Sequence, residues 1–179
     1  MISIPLPDWV QTVRIDDPDG ATQQLTRLLA GAQERGRVGL GELESAASQV
    51  VEGAVEQGVR MLGLVRPPGR PAALLSVAAL ELETPLDGPA ATQLTSFLAD
   101  RGGPGVTGLR SKPAGELGKV VLLHRVDPSG AQAQAVVAEP DGRHWYLLTL
   151  AAQQPDRGPE LQELLEDLIG AAVAVTPAG

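Results

Sequence analysis

The sequence predicts an α+β fold, a three-layer αβα sandwich with a largely antiparallel sheet of about six strands. Two apolar runs, 120–123 and 145–150, lack the alternation of a sheet with one face in water, so we expect helices on both faces. Two connections, 127–130 and 139–142, have turn compositions and are short enough to require antiparallel hairpins. Four amphipathic segments are available as cover, which completes the three layers.

The first part of the chain predicts an extended segment followed by two helices. Residues 1–15 contain Pro5 and Pro7, which a strand tolerates only where no ladder donor is needed, so we expect them at a sheet edge. Acidic residues and a proline in 16–19 then mark a helix start. A second helix is expected from about Glu42, where apolar residues again recur at helical spacing, and it should end at a glycine. The inward residues of the two helices are Leu25, Leu28, Leu29 and Ala32, then Leu43, Ala47, Val50, Val51 and Ala54; the closing glycine is Gly58.

The rest of the chain predicts strands at 59–65 and 73–83 around a proline-rich turn, and then a third helix from Thr84 to about Gly102. Four further strands and a closing helix follow. Proline at the first helical position and five apolar residues on one face predict that helix. These last elements are 106–111, 118–126, 131–139, 143–152 and the helix 159–173, before a frayed tail at 174–179.

Composition limits the classes of function. With 179 residues, 43% of them hydrophobic, and no break in composition, the chain is expected to form one domain over residues 1–179. The absence of cysteine excludes disulfides, thiolate nucleophiles and cysteine-based metal sites. A net charge of −8 argues against nucleic acid or anionic membranes as partners. No signal peptide or membrane-spanning run is evident, so we expect a cytoplasmic protein.

Few residues offer catalytic chemistry. His124 and His144 are the only histidines, and the sequence places them on neighbouring strands of the meander, but a metal site normally needs three or four ligands. Glu81 and Glu83 are two residues apart in a predicted strand, so we expect both on the same face with their carboxylates about 7 Å apart. That separation suits glycoside chemistry, yet the chain has only four aromatic rings with which to stack a sugar. In both cases an ordinary surface or structural role is the competing interpretation.

The glycine-rich segments predict connectors. Gly102–Gly105 follows a helix and therefore cannot present helix N-terminal amides to a phosphate. Gly36–Gly41 precedes a helix but lacks the Lys-Ser/Thr pair of a P-loop, and Glu42 and Glu44 would repel phosphate. Nucleophile-elbow, dinucleotide-binding and EF-hand motifs are also missing, so no enzyme activity and no cofactor is predicted.

Charged residues near strand ends and on the last helix form a candidate contact surface for a protein partner. Ordinary solvated faces are the competing interpretation. Charge across such a surface would set orientation and association rate more than affinity. The turn at 66–71 is a candidate for the rim of this contact surface, because its prolines limit the conformational entropy lost on docking. The candidate contact residues are Arg66, Arg70, Arg125, Arg143, Glu160, Glu163, Glu166 and Asp167.

Two parts of the chain carry a resemblance to a known group. The opening Pro5-Leu6-Pro7-Asp8-Trp9 and the segment from Arg143 to Leu150, with the amphipathic helix that closes the chain, resemble the bacterial Mog1/PsbP-like proteins, including the LpqN-like proteins of actinobacteria. The resemblance covers about half the chain. It implies an αβα sandwich that serves as a non-catalytic binding or assembly scaffold, and it carries over no functional residue. The two consecutive predicted helices between Asp17 and Gln57 depart from that group.

Three functions are therefore open. The first is a protein–protein interaction module, such as an accessory, chaperone or immunity-type factor of a bacterial assembly or secretion system. The second is a small-ligand carrier, in which a core rich in alanine and leucine leaves a cavity between sheet and helices. The third is an enzyme built on His124, His144 and Glu81.

Overall fold

The computed structural model describes residues 6–32, 38–85, 106–113, 119–127, 130–138 and 142–174, with the backbone alone in 106–127, at 138 and in 171–174. The α+β class is confirmed: within these residues, three helices pack on antiparallel strands. The chain divides into two compact units, which are described separately below. The N-terminal unit is Asp8–Ala78, and the C-terminal unit combines Met1–Pro7 with Ala79–Gly179.

The N-terminal unit consists of three antiparallel strands and two helices. Strand β1 pairs with β2, and β2 pairs with β3, whose last residues belong to the C-terminal unit. The predicted extended segment at the start of the chain includes β1, while residues 1–5 lie outside the described residues. The elements are β1 (Val10–Arg14), α1 (Pro18–Ala32), α2 (Leu40–Glu56), β2 (Val59–Val65) and β3 (Ala73–Glu81).

Local chemistry sets the helix ends of this unit. The carboxylate of Asp17 accepts hydrogen bonds from the backbone N–H groups of Asp19 and Gly20, at 3.2 Å each, and Pro18 is the first residue of α1. Helix α2 is followed by Gly58, whose φ of +69° lies in the left-handed region that glycine adopts readily. The predicted start of α1 and end of α2 are confirmed. Helix α2 begins at Leu40, two residues before the position expected.

Strands β2 and β3 of the N-terminal unit carry buried side chains on both faces of the sheet. Val13 and Leu62, which pair across β1 and β2, belong to one core cluster with residues of α1 and α2 such as Leu25 and Val51. Side chains alternate between faces along a strand. The register therefore assigns Val65, Leu75 and their neighbours to the opposite face, where both of these side chains have 0% exposure.

The described residues of the C-terminal unit contain a four-strand antiparallel meander and one helix. Strand β4 pairs with β5, β5 with β6, and β6 with β7, so both predicted hairpins are confirmed. A short 3₁₀ turn at Pro155–Arg157 precedes the helix. The elements are β4 (Val106–Pro113), β5 (Lys119–Asp127), β6 (Gly130–Ala138), β7 (His144–Ala152) and α3 (Gly158–Ala174).

Helix α3 packs across the meander, mainly on β6. One face of β6 carries three alanines with 0% exposure, which pair with buried residues of β7. Alanines at these positions let the leucines of α3 approach the sheet closely. The buried residues are Ala131, Ala133 and Ala135 on β6, Leu148 and Leu150 on β7, and Leu161, Leu164, Leu165 and Leu168 on α3. Of the five apolar residues predicted for the inward face of the last helix, the four leucines are buried and Ile169 is half-buried. The helix predicted from Thr84 to about Gly102 falls largely on residues 86–105, outside the described residues.

Candidate interaction surface

The turn between β2 and β3 presents two arginines. The N–H of Arg70 donates to the carbonyl of Pro67 at 3.2 Å, and Gly69 has a φ of +71°. With Pro68 before that glycine, the segment has the chemistry of a type II turn. Arg66 and Arg70 flank it and are both exposed. The proline-rich turn predicted at this position is confirmed.

Two further arginines lie on the same strands. Arg14 ends β1, and the carbonyl of Arg60 accepts a hydrogen bond from the N–H of Ile15 at 3.1 Å. Both side chains are exposed. Sequence reasoning missed them, although a signal was present: all four charged residues in 9–15 and 59–78 are arginine.

Charge in the N-terminal unit is separated by element. Helix α2 carries Glu42, Glu44, Glu52 and Glu56 and no basic residue. The strands and the turn between β2 and β3 carry only arginine up to Ala78. Arg14 and Arg60 lie at one end of the β1–β2 pair, and Arg66 and Arg70 lie toward the other end. These four cationic residues, in a chain of net charge −8, are named here the arginine surface; Asp8 precedes β1, and Asp16 and Asp17 follow it.

The other predicted contact residues belong to the C-terminal unit. Arg143 is exposed just before β7, and its carbonyl accepts a hydrogen bond from the N–H of Leu82 at 2.9 Å. Arg125 lies in β5 opposite Gln132. The eight predicted residues therefore divide between the units, with Arg66 and Arg70 in one and the other six in the second.

The acidic residues of α3 differ in their surroundings. The guanidinium of Arg157 is 8% exposed and binds the Glu160 carboxylate through two hydrogen bonds of 3.0 and 3.1 Å. Glu160 thus helps to satisfy a buried cation, a structural role that sequence reasoning did not identify. Glu163 and Asp167 are exposed and Glu166 is half-buried, so the first two are the more available to a partner.

The two histidines do not lie on neighbouring strands, and that prediction is wrong. His124 is in β5 and His144 in β7, with β6 between them. His124 is opposite Ala133, which is opposite Leu150, so the two histidines are offset by six residues along the sheet. At about 3.3 Å per residue the offset alone is about 20 Å. A shared site for the two histidines is therefore excluded.

The predicted pair of glutamates on one strand face is also wrong. Strand β3 ends at Glu81, and Glu83 lies beyond it. Glu81 instead approaches His144, with 3.8 Å between Oε1 and Nε2, and the two side chains are 79% and 38% exposed.

The described residues contain no group of three or more histidine, aspartate or glutamate side chains that could hold a metal ion. No helix among them has the length and apolar character needed to cross a bilayer. No protein-family model matches the chain, and no curated protein is significantly similar to it. Any functional assignment therefore depends on the surface itself.

Proposed function

We propose that this protein is a non-catalytic protein–protein interaction module that binds an acidic region of a partner through its arginine surface. The single observation that carries the proposal is the separation of charge in the N-terminal unit. Four exposed arginines occupy the strands and the turn between β2 and β3, with no acidic residue among them. An accessory, chaperone or immunity-type factor of a bacterial assembly or secretion system would bind its partner in this way, without catalysis.

The local arrangement of charge supports a protein partner. Arginine is enriched at protein interfaces because its planar guanidinium binds carboxylates through two hydrogen bonds. The net charge of −8 opposes nucleic acid as the partner, since long-range repulsion would offset a four-residue cationic region. A short acidic segment of protein carries far fewer negative charges than nucleic acid, so the same repulsion is weaker and the segment is the better match.

The finer description of the fold is part of this proposal. A single three-layer αβα sandwich with about six strands, similar to the Mog1/PsbP-like group, would bury the sheet on both sides. The burial of Val65 and Leu75, on the face opposite α1 and α2, supports that arrangement. Residence in the cytoplasm is proposed with it, and cell fractionation tests that prediction.

The packing of α3 favours this proposal over the ligand carrier. The hypothesis of a small-ligand carrier depends on empty space beside the small side chains of the core. Ala131, Ala133 and Ala135 instead have 0% exposure on the strand against which α3 packs. Close packing of this kind is what a scaffold requires.

A charge-reversal pull-down tests the function. Tagged wild-type protein and an Arg60→Glu/Arg66→Glu variant are incubated at low salt with lysate of the native cell, and retained proteins are quantified by mass spectrometry. We expect at least one acidic protein whose recovery falls about tenfold or more in the variant, because reversed charge slows encounter and weakens the complex. Arg27→Glu is the matched control, since Arg27 is an exposed arginine on α1. If no protein depends on Arg60 and Arg66 more than on Arg27, the proposal fails.

A further inference from the structure

Strand β1 lies at the edge of its sheet. Among the described residues it pairs with β2 alone. The N–H of Ile15 donates to the Arg60 carbonyl at 3.1 Å, and the N–H of Arg66 donates to the Trp9 carbonyl at 2.8 Å. In an antiparallel pair, directly opposite residues alternate between hydrogen-bonded and non-hydrogen-bonded positions. Odd-numbered residues from Trp9 to Ile15 therefore direct their backbone groups to β2.

The intervening residues of β1 direct their backbone groups away from β2. Val10, Thr12 and Arg14 each place one N–H and one C=O at the outer edge, which gives three donors and three acceptors along the strand. An extended peptide can pair with such a row as an additional strand, and its main-chain hydrogen bonds then supply affinity with little dependence on sequence.

Arginines lie at both ends of this edge. Arg14 and Arg60 are at the end of β1 next to Ile15, and Arg66 is opposite Trp9 at the other end. No ion pair joins any of these three side chains to another residue in the described part of the chain. From Trp9 to Arg14 is five residues, or about 17 Å of strand. Two carboxylates about five residues apart on an added strand would match this spacing.

The same charges disfavour a second copy of β1 as the occupant. Antiparallel pairing of two copies about Thr12 would place Arg14 of each copy opposite Val10 of the other, so no arginine would gain an acidic partner. Parallel pairing would place Arg14 beside Arg14. Like charges at such positions destabilise strand pairing, so the partner strand must differ in charge.

We propose that an extended acidic peptide segment of a partner protein adds to the outer edge of β1 as a further antiparallel strand, with carboxylates at its two ends bound by Arg14 and Arg60 and by Arg66. This inference rests on the proposed function and names the partner's chemistry and conformation. Hydrogen bonds to Val10, Thr12 and Arg14 hold the strand, and the arginines select acidic residues and set the register.

A synthetic peptide tests the inference. The probe is fluorescein-labelled Glu-Val-Thr-Val-Thr-Glu, with its carboxylates five residues apart, and binding to the full chain is followed by fluorescence anisotropy at low salt. The control peptides are the same sequence with lysine at both ends, and the acidic peptide N-methylated at alternate residues. We expect each change to weaken binding by about tenfold or more, because one reverses the charge and the other removes the donors to β1.

Variants of the protein measure the contributions of backbone hydrogen bonds and of arginine charge to peptide binding separately. Thr12→Pro removes an outward donor and places the proline ring in the path of the added strand, while every arginine is retained. We expect this variant and Arg14→Glu/Arg66→Glu each to lose about tenfold or more in peptide affinity, and Arg27→Glu to bind as the wild type does. Circular dichroism confirms that each variant is folded.

The outcomes also distinguish this inference from the proposed function. Loss of peptide binding in Thr12→Pro, with Arg27→Glu unaffected, supports strand addition. If the acidic peptide does not bind, or binds equally well to Thr12→Pro, the inference is overturned. A lysate partner that is lost in Arg60→Glu/Arg66→Glu but retained by Thr12→Pro would then leave the proposed function intact.

Discussion

Replacing Gly130 by alanine is expected to lower the free energy of unfolding by about 2–3 kcal/mol, because overpacking against a fixed group has a cost of this size. Gly130 is the first residue of β6 and lies opposite Asp127 in the hairpin with β5. A Cβ at this position would overlap the backbone carbonyl oxygen of Ala152. Backbone cannot move aside as a flexible side chain can, so the β6–β7 ladder must shift. The melting temperature, followed by circular dichroism, should fall by about 4–12 °C.

Gly53→Ala is the matched control. Gly53 lies inside α2, and an added Cβ there meets no atom within 4 Å. Alanine in a helix interior is more favourable than glycine by about 0.5–1 kcal/mol, so this variant should be slightly more stable than the wild type. Equal stability of the two alanine variants would contradict the close approach of β6 to β7 at Gly130.

Gln11→Pro is expected to destabilise the protein by about 3 kcal/mol, since proline removes a ladder hydrogen bond and leaves a carbonyl without its donor. The Gln11 side chain is exposed, so little packing is lost with it. Its backbone groups face Leu64 in the β1–β2 ladder. Urea denaturation followed by circular dichroism measures the change.

Thr12→Pro should have a much smaller effect on the same measurement, within about 1 kcal/mol, because proline is tolerated on an edge strand where the N–H points away from the sheet. Thr12 is also exposed and is adjacent to Gln11, so the two variants differ mainly in the direction of the lost N–H group. A reversed order of stability would show that the assignment of inward and outward groups on β1 is incorrect.

The elements that depend on local chemistry were predictable. Asp17 and Pro18 specify the start of α1 through side-chain and backbone geometry within three residues. Gly58 ends α2 for a similar reason. The short turns on either side of β6 require antiparallel neighbours, and the observed registers have them.

The predictions that are wrong concern which strands are neighbours and where a strand ends. Two successive hairpins place β6 between β5 and β7, so the expectation that His124 and His144 lie on neighbouring strands conflicted with the predicted order of the strands. The alternation of Leu80 to Glu83 continues past Glu81, where β3 ends, because a pattern of side chains does not mark where backbone pairing stops.

The arginine surface was predicted only in part. Arg66 and Arg70 were found because a turn sequence surrounds them. Arg14 and Arg60 become neighbours only through the pairing of β1 with β2, across about 45 residues of chain, and sequence alone does not reveal that register. The outward direction of the Val10, Thr12 and Arg14 backbone groups depends on the same pairing.

Residue-resolved amide hydrogen exchange of β1, with and without the acidic peptide probe, tests the central claim most directly. In the free protein, we expect the amides of Gln11 and Val13 to exchange more slowly than those of Val10, Thr12 and Arg14. Saturation with peptide should slow exchange at the latter three by about tenfold or more, because each enters a new hydrogen bond. Peptide binding that leaves these three amides at their free rates would contradict strand addition at β1.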